Sequence, residues 1–205
     1  MLFERQRDVD ASLERKRRLS ASVRDQALAQ LADLIAERGA RRVAIDGPDA
    51  AGKSTLAAEL APLLAPLLAR RGLRVVAQTI DEFHRPPEER YRRGRESAEG
   101  YYLDSFDYEA VRAFVLGVSG AVLLFEGVFL FRPELDDLWD FRILVDVDLE
   151  ESVRRGVERD GAPEELYRTR YAAGQRIYRE QVRPHDRADA VLLNDDPARP
   201  DLLVS

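Results

Sequence analysis

Gly47-Pro48-Asp49-Ala50-Ala51-Gly52-Lys53-Ser54 is the stretch on which the reading of this chain turns. It matches G-x-x-x-x-G-K-[ST] in full. Upstream, Arg42-Val43-Ala44-Ile45 reads as a buried strand running directly into the loop. Downstream, Thr55 and LAAELAPLLAPLLARR read as the following helix, with Pro62 and Pro66 as expected irregularities. Gly47 and Gly52 permit backbone angles that a β-carbon forbids, so successive N–H groups from Asp49, Ala50, Ala51 and Gly52 can point inward at an anion. The helix beginning near Lys53 adds its positive end at the same spot. The pattern therefore predicts a cradle for the phosphates of a nucleoside triphosphate. Lys53 would bridge the β- and γ-phosphates, the Ser54 hydroxyl would ligate Mg²⁺, and Thr55 would reach the α-phosphate.

The bulk numbers agree with a soluble enzyme of modest size. At 205 residues the chain suffices for one well-buried domain and is short for two. A formal net charge of -6 argues against a nucleic-acid binder, which is usually basic. With no cysteine, disulfides and thiolate metal sites are excluded, and two histidines far apart in sequence, His84 and His185, make no convincing zinc site. No apolar run approaches the roughly 20 residues needed to span a bilayer. The opening MLFERQRDVDASLERKRR lacks the apolar stretch of a signal peptide. These observations predict a cytoplasmic enzyme with a small-molecule substrate and neither nucleic acid nor membrane as partner.

Outward from the loop, the chain alternates short apolar runs with longer helical patterns, and no repeat or linker divides it, so a single domain over 1–205 is expected. Strands are predicted at Arg42–Asp46, Leu73–Ile80, Ala121–Glu126, Phe141–Val147 and Ala190–Leu193. Helices are predicted at Lys53–Arg70, Tyr108–Leu116, Leu149–Arg159 and Glu164–Val182. Continuous apolar strands bracketed by helices imply an α/β fold with a five-stranded, mostly parallel sheet covered on both faces. Before the first strand, Leu28, Leu31, Leu34 and Ile35 recur at helical spacing until Gly39, which predicts an N-terminal helical segment within 1–39, over Asp10–Glu37. That helix could pack on the domain or mediate assembly into a homo-oligomer. Its ERKRR stretch reads as a solvated face.

A phosphate loop alone does not separate a kinase from a switch or a motor. The only asparagine, Asn194, is followed by Asp195, so the N-K-x-D guanine motif is absent, and no D-x-x-G lies outside the loop. The acids at predicted strand ends suit a small-molecule kinase. Asp81 follows the run LRVVAQTI and could accept the proton of an acceptor hydroxyl, or serve as a helix N-cap. Glu126 ends AVLLFEG, where a carboxylate would orient Mg²⁺ or its water ligands, or simply face solvent.

At this point the sequence resembles the uridine kinase and phosphoribulokinase family of P-loop enzymes, from about Val43 to Val191. Ile45-Asp46-Gly47 through Ser54-Thr55 is similar to the family's phosphate loop. Asp81-Glu82-Phe83-His84-Arg85 resembles its D-x-F-[YH]-[RK] segment, Ser105-Phe106-Asp107 its N-F-D, and Leu124-Phe125-Glu126-Gly127 its L-x-E-G strand end. Arg155-Gly156-Val157-Glu158-Arg159-Asp160 resembles R-R-V-x-R-D at the edge of a lid, expected over about 155–175, with Gly156 in place of the second arginine. Uridine kinases carry further lid arginines where this chain reads GAPEELYRTR, with Arg168 and Arg170 as candidates to compensate. The resemblance implies ATP and Mg²⁺ as cofactors, Asp81 as catalytic base and Arg159 as a lid arginine beside catalytic Lys53. It also implies His84 against the acceptor and Asp107 on its hydroxyls, although Asp107 could equally cap the helix that follows, or do both. The acceptor it implies first is a pyrimidine nucleoside, uridine or cytidine. Pantothenate, nicotinamide riboside or a sugar phosphate are its alternatives, and a slow regulatory ATPase is the alternative of another class. The arginine-rich stretch RPPEERYRRGRESAE after His84 reads as a solvated loop or as a clamp for a phosphorylated acceptor.

Overall fold

The computed structural model describes residues 22–205. Its first helix, α1 (Val23–Glu37), is capped by Ser22, whose hydroxyl accepts from the Asp25 N–H while the Asp25 carboxylate accepts from the Ser22 N–H. The rest of the predicted N-terminal helix, from residue 10, lies outside the described residues. Five strands follow: β1 (Arg42–Asp46), β2 (Arg74–Thr79), β3 (Ala121–Gly127), β4 (Phe141–Asp146) and β5 (Ala190–Leu193). Their spatial order is β2-β3-β1-β4-β5, all parallel, so the chain crosses from one side of β1 to the other between β3 and β4.

The sheet has six strands rather than five. Asp201–Val204 forms β6, which pairs antiparallel on the outer edge of β5. The segment is short, mostly exposed, and follows Asp-Asp-Pro and Arg-Pro, so alternation over four residues carries little signal. The segment is thus an edge strand of the sheet.

Every central strand is apolar on both faces because both faces are covered. Val43, Ile45, Val122, Leu124, Ile143 and Val145 pack beneath α1 and α2 (Lys53–Ala69). Ala44, Leu123, Phe125 and Leu144 point the other way, into an aromatic layer formed by α3 (Ala98–Asp104), α4 (Tyr108–Gly117), α6 (Ala173–Val182) and the segment after β3. Trp139 belongs to this layer and donates to the Leu130 carbonyl at 2.8 Å. Helix α2 runs unbroken through Pro62 and Pro66. Both prolines are exposed and lie four residues apart on one face, so the missing N–H groups leave acceptors where water can reach them.

A small third cluster sits after β4. Helix α5 (Leu149–Asp160) turns at Gly161 into a helical run, 164–182, whose Tyr167–Ala172 portion is a π-helix. Val153, Tyr167 and Ala172 form its core. Gly156 explains how they meet, because a β-carbon there would lie 2.1 Å from the Tyr167 ring. In an open helix Gly→Ala stabilises by about 1 kcal/mol. Here Gly156→Ala is expected to destabilise by about 1–3 kcal/mol, the usual cost of overpacking. Urea denaturation measures this, and an unchanged or raised midpoint would mean that Tyr167 is not seated against Gly156.

Candidate active site

Because the five central strands are parallel, their carboxyl ends share one edge of the sheet, where ligands of such folds collect. β1 delivers the phosphate loop to that edge. Asp46 is fully buried and accepts from the Gly47 N–H at 2.8 Å and from the Tyr178 hydroxyl. Burial pushes its carboxyl up to about 6, against the opposing effects of Tyr178, the Gly47 N–H and Lys53. Gly47 has φ 153°, and a β-carbon there would meet the Val145 carbonyl oxygen at 2.2 Å, so only glycine fits between β1 and β4. Gly52 adopts φ 94° immediately before α2, and a β-carbon there would lie 3.0 Å from the Asn194 amide. Asn194 donates to the Ala51 carbonyl at 2.7 Å, which ties the segment after β5 to the loop. In the sequence alone Asn194 bears only on the absent guanine motif.

α2 has no acid in its first turn, so no side chain of its own offsets its positive end there. Lys53 is buried and reaches back across the loop to the Pro48 carbonyl at 2.6 Å. The Ser54 hydroxyl donates to Glu126 Oε1 at 3.0 Å, joining the first turn of α2 to the end of β3. A hydroxyl and a carboxylate side by side are hard oxygen donors and suit Mg²⁺. Among the described residues no three His, Cys, Asp or Glu side chains converge as a metal cage. A cation there would take its remaining ligands from phosphates and water, which is how Mg²⁺ is usually held.

Asp81 lies in the 3₁₀ turn Ile80–Phe83 at the end of β2. The capping role falls to Thr79, whose hydroxyl accepts from the Asp81 N–H at 3.3 Å. The Asp81 carboxylate has no hydrogen-bond partner among the described residues and is exposed to the cleft. His84 holds the same turn, its Nδ1 lying 2.9 Å from the Asp81 carbonyl oxygen, and its ring packs on Phe106 at 4.6 Å. Gly127 allows the turn to close on β3, since a β-carbon there would meet Ile80 at 2.3 Å.

One cleft of about 230 Å³ brings these groups together: Lys53, Ser54 and Glu126 on one wall, Asp81, His84 and Phe106 on another, and Arg159 with Asp160 above. A neighbouring cavity of about 540 Å³ runs along the outer side of the loop, past Ala50 to Thr55, to Arg155, Glu158 and Arg159. Arg159 is therefore shared between the two, where it makes a two-pronged contact with Asp160 at 2.6 and 2.9 Å. That pairing, with the Tyr167 hydroxyl, holds the Asp160 carboxyl down at about 2. Asp107 sits apart from this cleft. It caps α4, accepting from the Ala110 N–H at 3.0 Å, and lines a cavity of about 590 Å³ with His84, Arg85, Arg112 and Arg132.

The two arginines that could have compensated for the departures in this region are committed elsewhere. Arg168 is paired with Glu150 and Glu164. Arg170 is buried against Tyr91, Tyr101 and Tyr171 and donates to the Arg95 carbonyl at 3.0 Å. Neither lines the cleft. The arginine-rich stretch is likewise engaged: Arg92 and Arg93 clasp the buried Asp104 at 2.6 and 2.8 Å, and Arg90 and Arg95 stack on Tyr91. Arg85 donates to the Phe106 carbonyl at 2.9 Å. The stretch stays largely exposed, and its paired and stacked arginines are not a free cationic clamp.

No family model matches the chain, and no curated protein matches its sequence. Solved structures do. A possible uridine kinase from Bacillus stearothermophilus superposes with a TM-score of 0.54 at 24% identity, over 73% of this chain and 86% of that one. A candidate fructose transport system kinase from Silicibacter sp. TM1040 superposes with a TM-score of 0.57 at 22% identity, over 75% and 94%. The likeness is one of architecture, and with the loop-to-helix turn at Gly47–Ser54 it establishes that this chain has the fold of the P-loop kinases.

Proposed function

We propose that the protein transfers the γ-phosphoryl group of ATP to a hydroxyl of a small molecule, with a pyrimidine nucleoside, uridine or cytidine, as first acceptor. One observation carries the reading. A single cleft holds an unpartnered carboxylate, Asp81, opposite the loop lysine and the Ser54–Glu126 pair. A regulatory ATPase has no need of a free carboxylate and an enclosed space on the far side of its phosphate loop.

In this reading the loop amides, Lys53 and Thr55 bind the triphosphate, whose nucleoside end extends along the cavity bordered by Arg155 and Glu158. Mg²⁺, held by Ser54 and oriented by Glu126, would neutralise charge on the phosphates. Asp81 accepts the proton of the acceptor hydroxyl as its oxygen bonds to the γ-phosphorus, and ADP leaves. His84 and Phe106 flank the acceptor. Arg159 exchanges Asp160 for the transferring phosphoryl group, where charge neutralisation contributes most. The protein supplies position and charge, not covalent chemistry.

The nucleoside is favoured over a sugar phosphate by the charges in the cleft. Asp49, Asp81, Glu126 and Asp160 face Lys53 and Arg159, and Arg159 is already paired. Among the other arginines near the acceptor side, Arg85, Arg112 and Arg132 each have a carboxylate partner.

Three measurements test this. With Mg-ATP, ADP release should rise sharply with uridine or cytidine over the background rate; silence with these and with adenosine, nicotinamide riboside and pantothenate would favour the regulatory reading. Asp81→Asn should lower turnover by about two to four orders of magnitude, the range for a lost general base, while ATP still binds. Near-normal turnover in that variant removes Asp81 from the mechanism. Lys53→Ala should weaken both ATP binding and turnover, and unchanged values for both would overturn the phosphate-loop assignment.

A further inference from the structure

Asp49 is an anomaly in its own loop. A carboxylate inside a polyphosphate cradle repels the ligand at short range, the more so away from bulk water. The structure resolves the conflict by turning the side chain away from the cavity along the outer side of the loop. Asp49 lines the acceptor cleft beside Asp81, His84 and Phe106, whereas the cavity along the outer face of the loop begins only at Ala50. The next residue, Ala50, takes a left-handed conformation, φ 55°, uncommon for a residue with a side chain.

The side chain is also held from both ends. The Ser152 hydroxyl donates to the Asp49 carbonyl at 2.7 Å, and the Tyr101 hydroxyl donates to the carboxylate, 2.9 and 3.0 Å from its two oxygens. Tyr101 is itself immobilised, with its ring against Phe129 and Tyr171. A carboxylate accepts about four hydrogen bonds, and Tyr101 brings one proton. Among the described residues no other side chain donates to it. The result is a rigid acceptor of hydrogen bonds aimed into the space that the substrate must enter, separate from the carboxylate that takes the reacting proton.

We propose that Asp49 is a specificity-determining residue that accepts a hydrogen bond from a second, non-reacting hydroxyl of the acceptor, so that the acceptor is a polyhydroxyl compound bearing no phosphate. The inference rests on the kinase reading for the identity of the site, but its test does not require turnover. It also gives the acceptor's hydroxyls a partner inside the cleft, whereas Asp107, which the family resemblance put in that role, caps α4 beside a different cavity.

The experiment measures equilibrium binding by calorimetry alongside ADP release, for uridine, 2′-deoxyuridine, 3′-deoxyuridine, ribose and ribose 5-phosphate. In the wild type, removing the hydroxyl that Asp49 reads should weaken binding by about 10- to 100-fold, the usual worth of a hydrogen bond to a charged group. In Asp49→Ala that penalty should shrink to within about threefold. Stabilisation of the variant by Mg-ATP in a melting experiment shows that its loop is intact. Should Asp49→Ala not fold, the isosteric Asp49→Asn is read the same way, with a reduced penalty expected. A Tyr101→Phe variant separates contact from positioning, because it keeps the carboxylate and should keep discrimination between the deoxy forms. The proposal is overturned by an undiminished penalty in the Asp49 variants, by tighter binding of ribose 5-phosphate than of ribose, or by a wild type that binds none of the polyols. The expected binding pattern without acceptor-dependent ADP release would sink the kinase reading and leave the inference standing.

Discussion

The site depends on one close approach, that of the Gly47 backbone to the Val145 carbonyl, where a β-carbon would sit 2.2 Å from oxygen. Parallel pairing brings β1 beside β4, and the chain can leave β1 at that level only if its first loop residue has no side chain. Asp46 then secures the exit by accepting the Gly47 N–H, and Tyr178, reaching from α6, supplies the hydroxyl that satisfies the buried carboxylate. Tyr178 also takes the Phe131 N–H at 3.1 Å, which binds the segment after β3 to the same point. The loop's shape is thus set by three strands and a helix before any phosphate arrives.

From that fixed loop the site divides into two sides of opposite character. The outer side is cationic, with the α2 terminus, Lys53 and the loop amides, bordered by Arg155. The inner side is acidic and aromatic, with Asp49, Asp81, His84, Phe106 and Tyr101. A polyphosphate and an uncharged hydroxyl compound would sort themselves onto these two sides by charge alone. Lys53, Ser54 and Arg159 lie on both, where a group passing from one side to the other would be found.

Much of this was legible because it depends on local patterns. The strand Val43–Ile45 and the glycines at 47 and 52 announce the loop, and apolar runs at regular intervals announce the parallel sheet. Asp81 and Glu126 could be placed because acids ending apolar strands must fall on the ligand-binding edge. What escaped depends on partners distant in sequence. β6 exists only because β5 offers it an edge. Gly156 reads as a lost arginine until Tyr167 is seen filling its space. The arginines after His84 read as free charge until Asp104 and Tyr91 are found among them. Asp49 reads as a loop residue contributing its N–H, since nothing in eight residues tells which way a side chain turns.

The region above the cleft shows how the departures from the family pattern fit together. With Gly156 in place of an arginine and Arg168 and Arg170 engaged elsewhere, Arg159 is the lid-region cation that lines the cleft. Its present partner, Asp160, is shared with the Tyr167 hydroxyl. A carboxylate with two partners can release one without being left unsatisfied, which lowers the cost of freeing Arg159 from Asp160. Tyr167 can stay behind to hold Asp160 only because Gly156 leaves room for its ring. The absent arginine and the seated tyrosine are then two parts of one arrangement, in which Arg159 is the guanidinium that lines the cleft.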